Sequence, residues 1–147
     1  MFHKNKELER SGKKMKKEEL IAEAWKAQKN SYAPYSKYHV GAAIETADGK
    51  VFWGANIENA SFGATSCAER NAVFAAYSNG YRKKDLVALA IVSDGPRIAA
   101  PCGICRQVFA ELTDEHMPIY LTNGREEVDT DIEALLPMQF LEEDVLR

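Results

Sequence analysis

Cys67-Ala68-Glu69 and, well downstream, Pro101-Cys102-Gly103-Ile104-Cys105 constrain this chain more than any other feature. Between them they use all three cysteines of the protein. A zinc site that only holds structure is closed by four protein ligands, whereas a catalytic one takes three and keeps its fourth tetrahedral position open. Three thiols therefore suit an open site with one Zn2+ per chain. A fold that uses them must bring two distant stretches of sequence together.

Glu69 sits two residues beyond the first thiol, beside the metal and off it. Zinc lowers the pKa of a bound water to about 7. Removing an amino group from a ring also needs a side chain that carries protons from the water to the ring and then to the departing amine. Glu69 is the candidate general acid and base, with Cys67, Cys102 and Cys105 as metal ligands. The constellation resembles that of the nucleobase deaminases, with His or Cys as first ligand, a Glu that does not ligate, and a Pro-Cys-x-x-Cys. A lone Cys-x-x-Cys would suit redox chemistry as well. Three small buried hydrophobes would also account for free cysteines, but would leave the rest of the pattern to coincidence. The histidines offer no rival ligand set: His3 lies in a polar stretch, and His39 and His116 each stand alone near the start of an expected strand.

A chain of 147 residues is of single-domain length, and a domain of that size buries roughly 68–70% of its unfolded surface. The net charge is −3, yet the first 17 residues carry seven lysines and arginines against two glutamates, so the remainder is at −8. Residues 1–17 read as a basic, disordered leader and 18–147 as one catalytic domain, with Met15 an alternative start. A nucleic acid would meet an acidic body, whereas its binders show a basic face. No apolar stretch is long enough for a membrane span or a signal peptide. With cysteines assigned to metal rather than disulfides, a reducing cytoplasm is expected.

Leu20, Ile21, Ala24 and Trp25 share one helical face and predict a helix over 18–29. His39 to Thr46 and Lys50 to Ile57 predict a hairpin around Ala47-Asp48-Gly49. A helix over 65–77 is expected to carry the first thiol in its opening turn. Leu86 to Val92 has strand length and composition, Cys102 to Leu112 makes a second metal-bearing helix, and Pro118 to Leu121 a further strand. Pairing near Glu126 to Val128 and a short helix over 131–136 complete the expectation. This order argues for a three-layer α/β/α sandwich with a mixed sheet of about five strands.

Ligands at the starts of two helices gain from the free N–H groups and partial positive charge there, which stabilise thiolate. Three thiolates on Zn2+ leave a net negative centre, so a compensating cation is expected. Arg70 is the candidate for bonding a ligand sulfur, although a surface or interface arginine would read the same way.

From the first helix onward the chain closely resembles the small cytidine deaminases of pyrimidine salvage. Besides the metal motifs, Ala33-Pro34-Tyr35-Ser36, Val40-Gly41-Ala42-Ala43, Gly54 through Ala60, Cys105-Arg106-Gln107 and Leu135-Leu136-Pro137 carry the likeness. It implies hydrolysis of cytidine and deoxycytidine to uridine and deoxyuridine with release of ammonia, by a homotetramer. It also implies that Asn56 and Glu58 hold the ribose 3′-hydroxyl and that the Ala68 N–H meets the pyrimidine carbonyl. Tyr38 and Phe62 are expected to enclose the base, and Phe140 to reach a neighbouring subunit's site. Tyr38 stands where the family usually has Phe, and Phe62 where it often has Tyr, which keeps stacking surface but moves a phenol. Ala100 replaces the usual Ser before Pro101, a small change if only its backbone carbonyl touches the leaving amine. Two alternatives remain: a deaminase of a nucleoside antibiotic such as blasticidin S on the same fold, which need not keep Asn56 with Glu58, and a non-enzymatic zinc protein, which predicts a fourth protein ligand.

Overall fold

Leu86–Ser93 explains the architecture, because its apolar residues do not alternate with polar ones: Leu89 and Ile91 belong to one core, and Ala88, Ala90 and Val92 to another. A strand of this kind is buried on both faces and needs helices on each side. The computed structural model describes residues 14–146 and supplies those layers. In chain order the elements are α1 (Lys17–Gln28), β1 (Val40–Thr46), β2 (Val51–Ala55), α2 (Ala68–Ser78), β3 (Leu86–Ser93), α3 (Gly103–Leu112), β4 (Ile119–Thr122), β5 (Glu127–Thr130) and α4 (Ile132–Leu135).

The five strands form one mixed sheet in the order β2-β1-β3-β4-β5. β1 pairs antiparallel with both β2 and β3, β3 runs parallel to β4, and β5 closes the far edge antiparallel. The one parallel pair needs a crossover, and α3 is that crossover. α1 covers one face through Leu20, Ile21 and Ala24. α2 and α3 cover the other, where Val73 and Phe109 pack with Ile44, Leu89 and Ile91. The expected hairpin forms with Gly49 at φ +85, a left-handed position that glycine occupies without strain. Among the described residues no helix is long and apolar enough to cross a membrane.

Residues 1–13, most of the expected leader, lie outside the described residues. Its last positions belong to the fold: Lys17 opens α1, reaches the carboxylates of Glu127 and Asp129 on β5, and lies 5.4 Å from the centre of the Tyr120 ring. Met15 packs beside the α1 core. The helix expected over 65–77 starts later, at Ala68, because Ser66 is extended and exchanges two backbone hydrogen bonds with Ile57 (2.9 and 3.0 Å). Cys67 is thus the residue ahead of the helix and not part of its first turn.

Gly54 fixes how closely α2 approaches the sheet. A methyl group there would stand 2.0 Å from the Ala68 carbonyl oxygen and 2.5 Å from the Ala72 nitrogen, distances at which backbone has to move. Gly54→Ala should therefore destabilise the protein by ~1–3 kcal/mol, the usual range for overpacking, and push back the turn that carries Cys67 and Glu69. Thermal unfolding and metal content measured together test this; an unchanged midpoint with full zinc occupancy would contradict it.

Candidate active site

Two helix starts face each other at one end of the sheet. Cys67 precedes α2, Cys102 precedes α3, and Cys105 lies in the first turn of α3. Their sulfur atoms all lie within 4.8 Å of one another, with Cys67 and Cys102 at 3.8 Å. Ligands at a Zn–S distance of about 2.3 Å on a tetrahedron stand about 3.8 Å apart, so the thiols fit zinc in size as well as in chemistry. No fourth cysteine, histidine or carboxylate completes the cluster among the described residues, which speaks against a closed structural site.

At Cys67 the electrostatics favour thiolate. Donation from Cys105 and Cys102, with the charge of Arg70, draws the Cys67 thiol down to about 5 against the opposing effect of burial. Cys105 moves the other way, since its proton is held by Cys67 in a buried position beside Glu69. Arg70 meets its expected role: Nη2 donates to Cys67 Sγ at 3.6 Å, within reach for sulfur. It sits one residue beyond Glu69 on α2, so the helix that positions the carboxyl also places the compensating cation.

Glu69 is 5% exposed. Burial first, and the Cys67 charge second, push its carboxyl up to about 7. A carboxyl poised there both accepts and returns a proton near neutral pH. It opens onto a cavity of about 220 Å³ lined by Tyr38, Val40, Asn56, Glu58, Ala68 and the thiols Cys67 and Cys102, among others. Ala68 is the first residue of α2, where backbone N–H groups have no acceptor within the helix.

Asn56 and Glu58 leave β2 into this cavity, each held by neighbours. Asn56 Oδ1 accepts from the Val40 N–H (3.0 Å) and the Ser31 hydroxyl, while Nδ2 donates to the Tyr38 carbonyl (2.7 Å). Both lone pairs of the amide oxygen are used and one N–H remains. Glu58 accepts from the amides of Tyr35 (2.9 Å) and Ser36 (3.1 Å) and from the Ser36 hydroxyl, leaving one of its four lone-pair sites. The Ser36 hydroxyl, with those amides, keeps the Glu58 carboxyl below the usual carboxylate range. One spare donor and one spare acceptor in the lining of the same cavity suit a single hydroxyl group. Ser31 and Ser36 are supporting residues that sequence reasoning left without a role. Ser36 stands inside a motif already singled out, but its partner is 22 residues away.

The aromatic expectations divide. Tyr38 lines the cavity, and so do Ala99 and Ala100. Phe62 is outside the lining; it is 79% exposed and meets Tyr35 edge-on at 6.4 Å. Phe140 is also outside it and 58% exposed, its carbonyl accepting from Gln107 Nε2 at 2.7 Å. Within one chain neither ring reaches the cavity. His39, taken as an ordinary surface residue, is engaged: its backbone N–H and ring Nδ1 both meet Asp94, at 2.9 and 2.7 Å.

Three thiols able to hold zinc at two helix starts, a buried carboxyl beside them, and Asn56 and Glu58 in the lining of the same cavity define a hydrolytic zinc-deaminase centre on an α/β sandwich. Residues 14–121 match the family described as the cytidine and deoxycytidylate deaminase zinc-binding region. A cytidine deaminase of Halalkalibacterium halodurans is 48% identical over 132 residues, covering 89% of this chain and 98% of that protein. The crystal structure of cytidine deaminase from Burkholderia pseudomallei superposes with a TM-score of 0.83 at 46% identity, covering 86% of this chain and all of that one. A blasticidin-S deaminase of Bacillus cereus is more distant, 32% identical over 111 residues, with 71% of this chain and 79% of that protein covered. The chain belongs to the cytidine and deoxycytidylate deaminase zinc-binding family.

Proposed function

We propose that this chain is a zinc-dependent cytidine deaminase that converts cytidine and deoxycytidine to uridine and deoxyuridine, acting in cytoplasmic pyrimidine salvage as a homotetramer. The observation that carries the reading is the spare N–H of Asn56 and the spare lone pair of Glu58 in the same cavity as Glu69 and the thiols. A sugar hydroxyl is the substrate group that needs both. A zinc protein without catalytic function would have no use for them.

Cys67, Cys102 and Cys105 would hold the zinc, which when bound would supply a water of low pKa. Glu69 takes a proton from the attacking water and passes it to N3 of the pyrimidine. It then delivers the second proton to the amino group on C4. One C–O bond forms, one C–N bond breaks, and ammonia leaves. The Ala68 N–H orients the base through its carbonyl, Tyr38 stacks against it, and Asn56 with Glu58 fixes the ribose. The acidic body disfavours a nucleic-acid substrate.

Asn56→Ala and Glu58→Ala should lower turnover of cytidine far more than that of free cytosine, which has no sugar. Leaving one hydroxyl partner unpaired costs ~1–3 kcal/mol, and where sugar binding positions the base, part of the loss appears in kcat. Equal losses on the two substrates would refute the ribose role. Preferred turnover of blasticidin S over cytidine by the unaltered protein would instead favour the antibiotic reading, to which the Bacillus cereus relative is the pointer.

The rings of Phe62 and Phe140 are exposed in the single chain, so both are free to meet a neighbouring subunit. Phe140 is proposed to cover a neighbouring subunit's base. Co-assembling a Glu69→Ala chain with a Phe140→Ala chain should restore activity above that of either parent, because some sites regain both groups. Verified mixed assemblies without rescue, or a stable active monomer in sedimentation, would place Phe140 in its own chain's packing.

A further inference from the structure

We propose that Glu45 is the buried counter-ion of a free α-ammonium group at Met15, on a chain that is started or cut immediately ahead of that residue. Glu45 lies on β1, on the sheet face that packs against α1 and away from the thiol site, and is 1% exposed. A carboxyl so placed needs partners on both oxygens. In the long chain one oxygen, Oε2, accepts from the Met15 backbone N–H at 2.7 Å, and the other, Oε1, is buried with no hydrogen-bond partner among the described residues. Burial raises its pKa, and Glu19 on α1 adds to the rise, while the Met15 amide and the charge of Lys14 oppose it. Tyr120 on β4 also interacts with it. Glu45 serves no step of the proposed deamination.

An α-ammonium at the same nitrogen changes the balance at one stroke. It brings two further N–H donors and a full positive charge to the point where Oε2 already accepts. The half-buried Met15 side chain, packed beside the α1 core, holds that nitrogen in place. A bare cation ahead of a helix would be repelled by the positive end of the helix dipole; Glu45, with Glu18 and Glu19 in the first turn of α1, offsets this. Every described helix and strand begins at or beyond Lys17, and the family match begins at residue 14. A chain from Met15 therefore contains the whole fold.

The sequence offers two routes to that terminus. Met15 can initiate, being a methionine two residues ahead of α1. Lys16 in second place is too large for the aminopeptidases that remove an initiating methionine. Alternatively, the Lys13-Lys14 pair is a cleavage point for proteases that cut after basic residues.

The test starts from the gene with its own upstream sequence, expressed in a bacterial host, and an intact mass of the product. A chain beginning at Met15 is expected. Met15→Leu then separates the routes, since initiation loses the short product and cleavage keeps it. In the Met15 chain the α-amine, followed by its acylation rate against pH, should titrate above its ordinary range of about 7.7–8.0 and return to it in Glu45→Gln. Its stabilisation should be full below that ordinary range, while Glu45 is ionised, and fade as pH rises through the raised value. Only chains beginning at Met1, or an α-amine titrating in the ordinary range in the unaltered Met15 chain, would overturn the proposal. The second readout needs no variant to fold.

Discussion

Glu69→Ala protein is expected to keep its zinc and lose nearly all turnover of cytidine. General acid–base groups contribute roughly 10²–10⁴-fold, and the loss should lie at or above the top of that range, because this one carboxyl is asked to move a proton at two successive steps. The structure makes the separation of roles testable. Glu69 is buried beside the thiols, but the thiols alone suffice for a three-ligand site. Zinc content by elemental analysis and turnover on the same sample decide the matter. A zinc-loaded variant turning over near the normal rate would remove Glu69 from the chemistry, and a zinc-free one would make it a ligand.

Cys102→Ala should fail differently, losing metal, activity and stability together. Cys102 spans the two helix starts, 3.8 Å from Cys67 and one residue ahead of α3. Without it the metal has ligands from Cys67 and Cys105 only, and binding free energy that contributes to the fold is lost with the metal. Removal of zinc from the unaltered protein by a chelator should lower the unfolding midpoint in the same direction, and readdition should restore it. Cys102→Ala protein with one zinc per chain and an unchanged midpoint would contradict the ligand assignment.

These two residues were legible in the sequence because metal chemistry ties residue type to spacing. The hairpin and the helices were legible for a similar reason: Gly49 marks the turn, and Leu20, Ile21 and Ala24 share a face. What escaped depends on contacts between distant segments. The start of α2 shifted to Ala68 because Ser66 pairs with Ile57, a bridge no local pattern records. Ser31 and Ser36 hold Asn56 and Glu58 across 25 and 22 residues. Glu45 is a polar residue inside a buried strand, and its hydrogen bond comes from Met15, 30 residues away. The destinations of Phe62 and Phe140 escape for another reason: a ring whose proposed partner is on a second chain leaves only its exposure in a single one.

Incubation of the zinc-loaded protein with cytidine in water labelled with heavy oxygen tests the central claim most directly. The expected result is uridine carrying the heavy oxygen at C4, with one ammonia released for each uridine formed. Protein holding one zinc per chain that leaves cytidine unchanged would contradict the assignment.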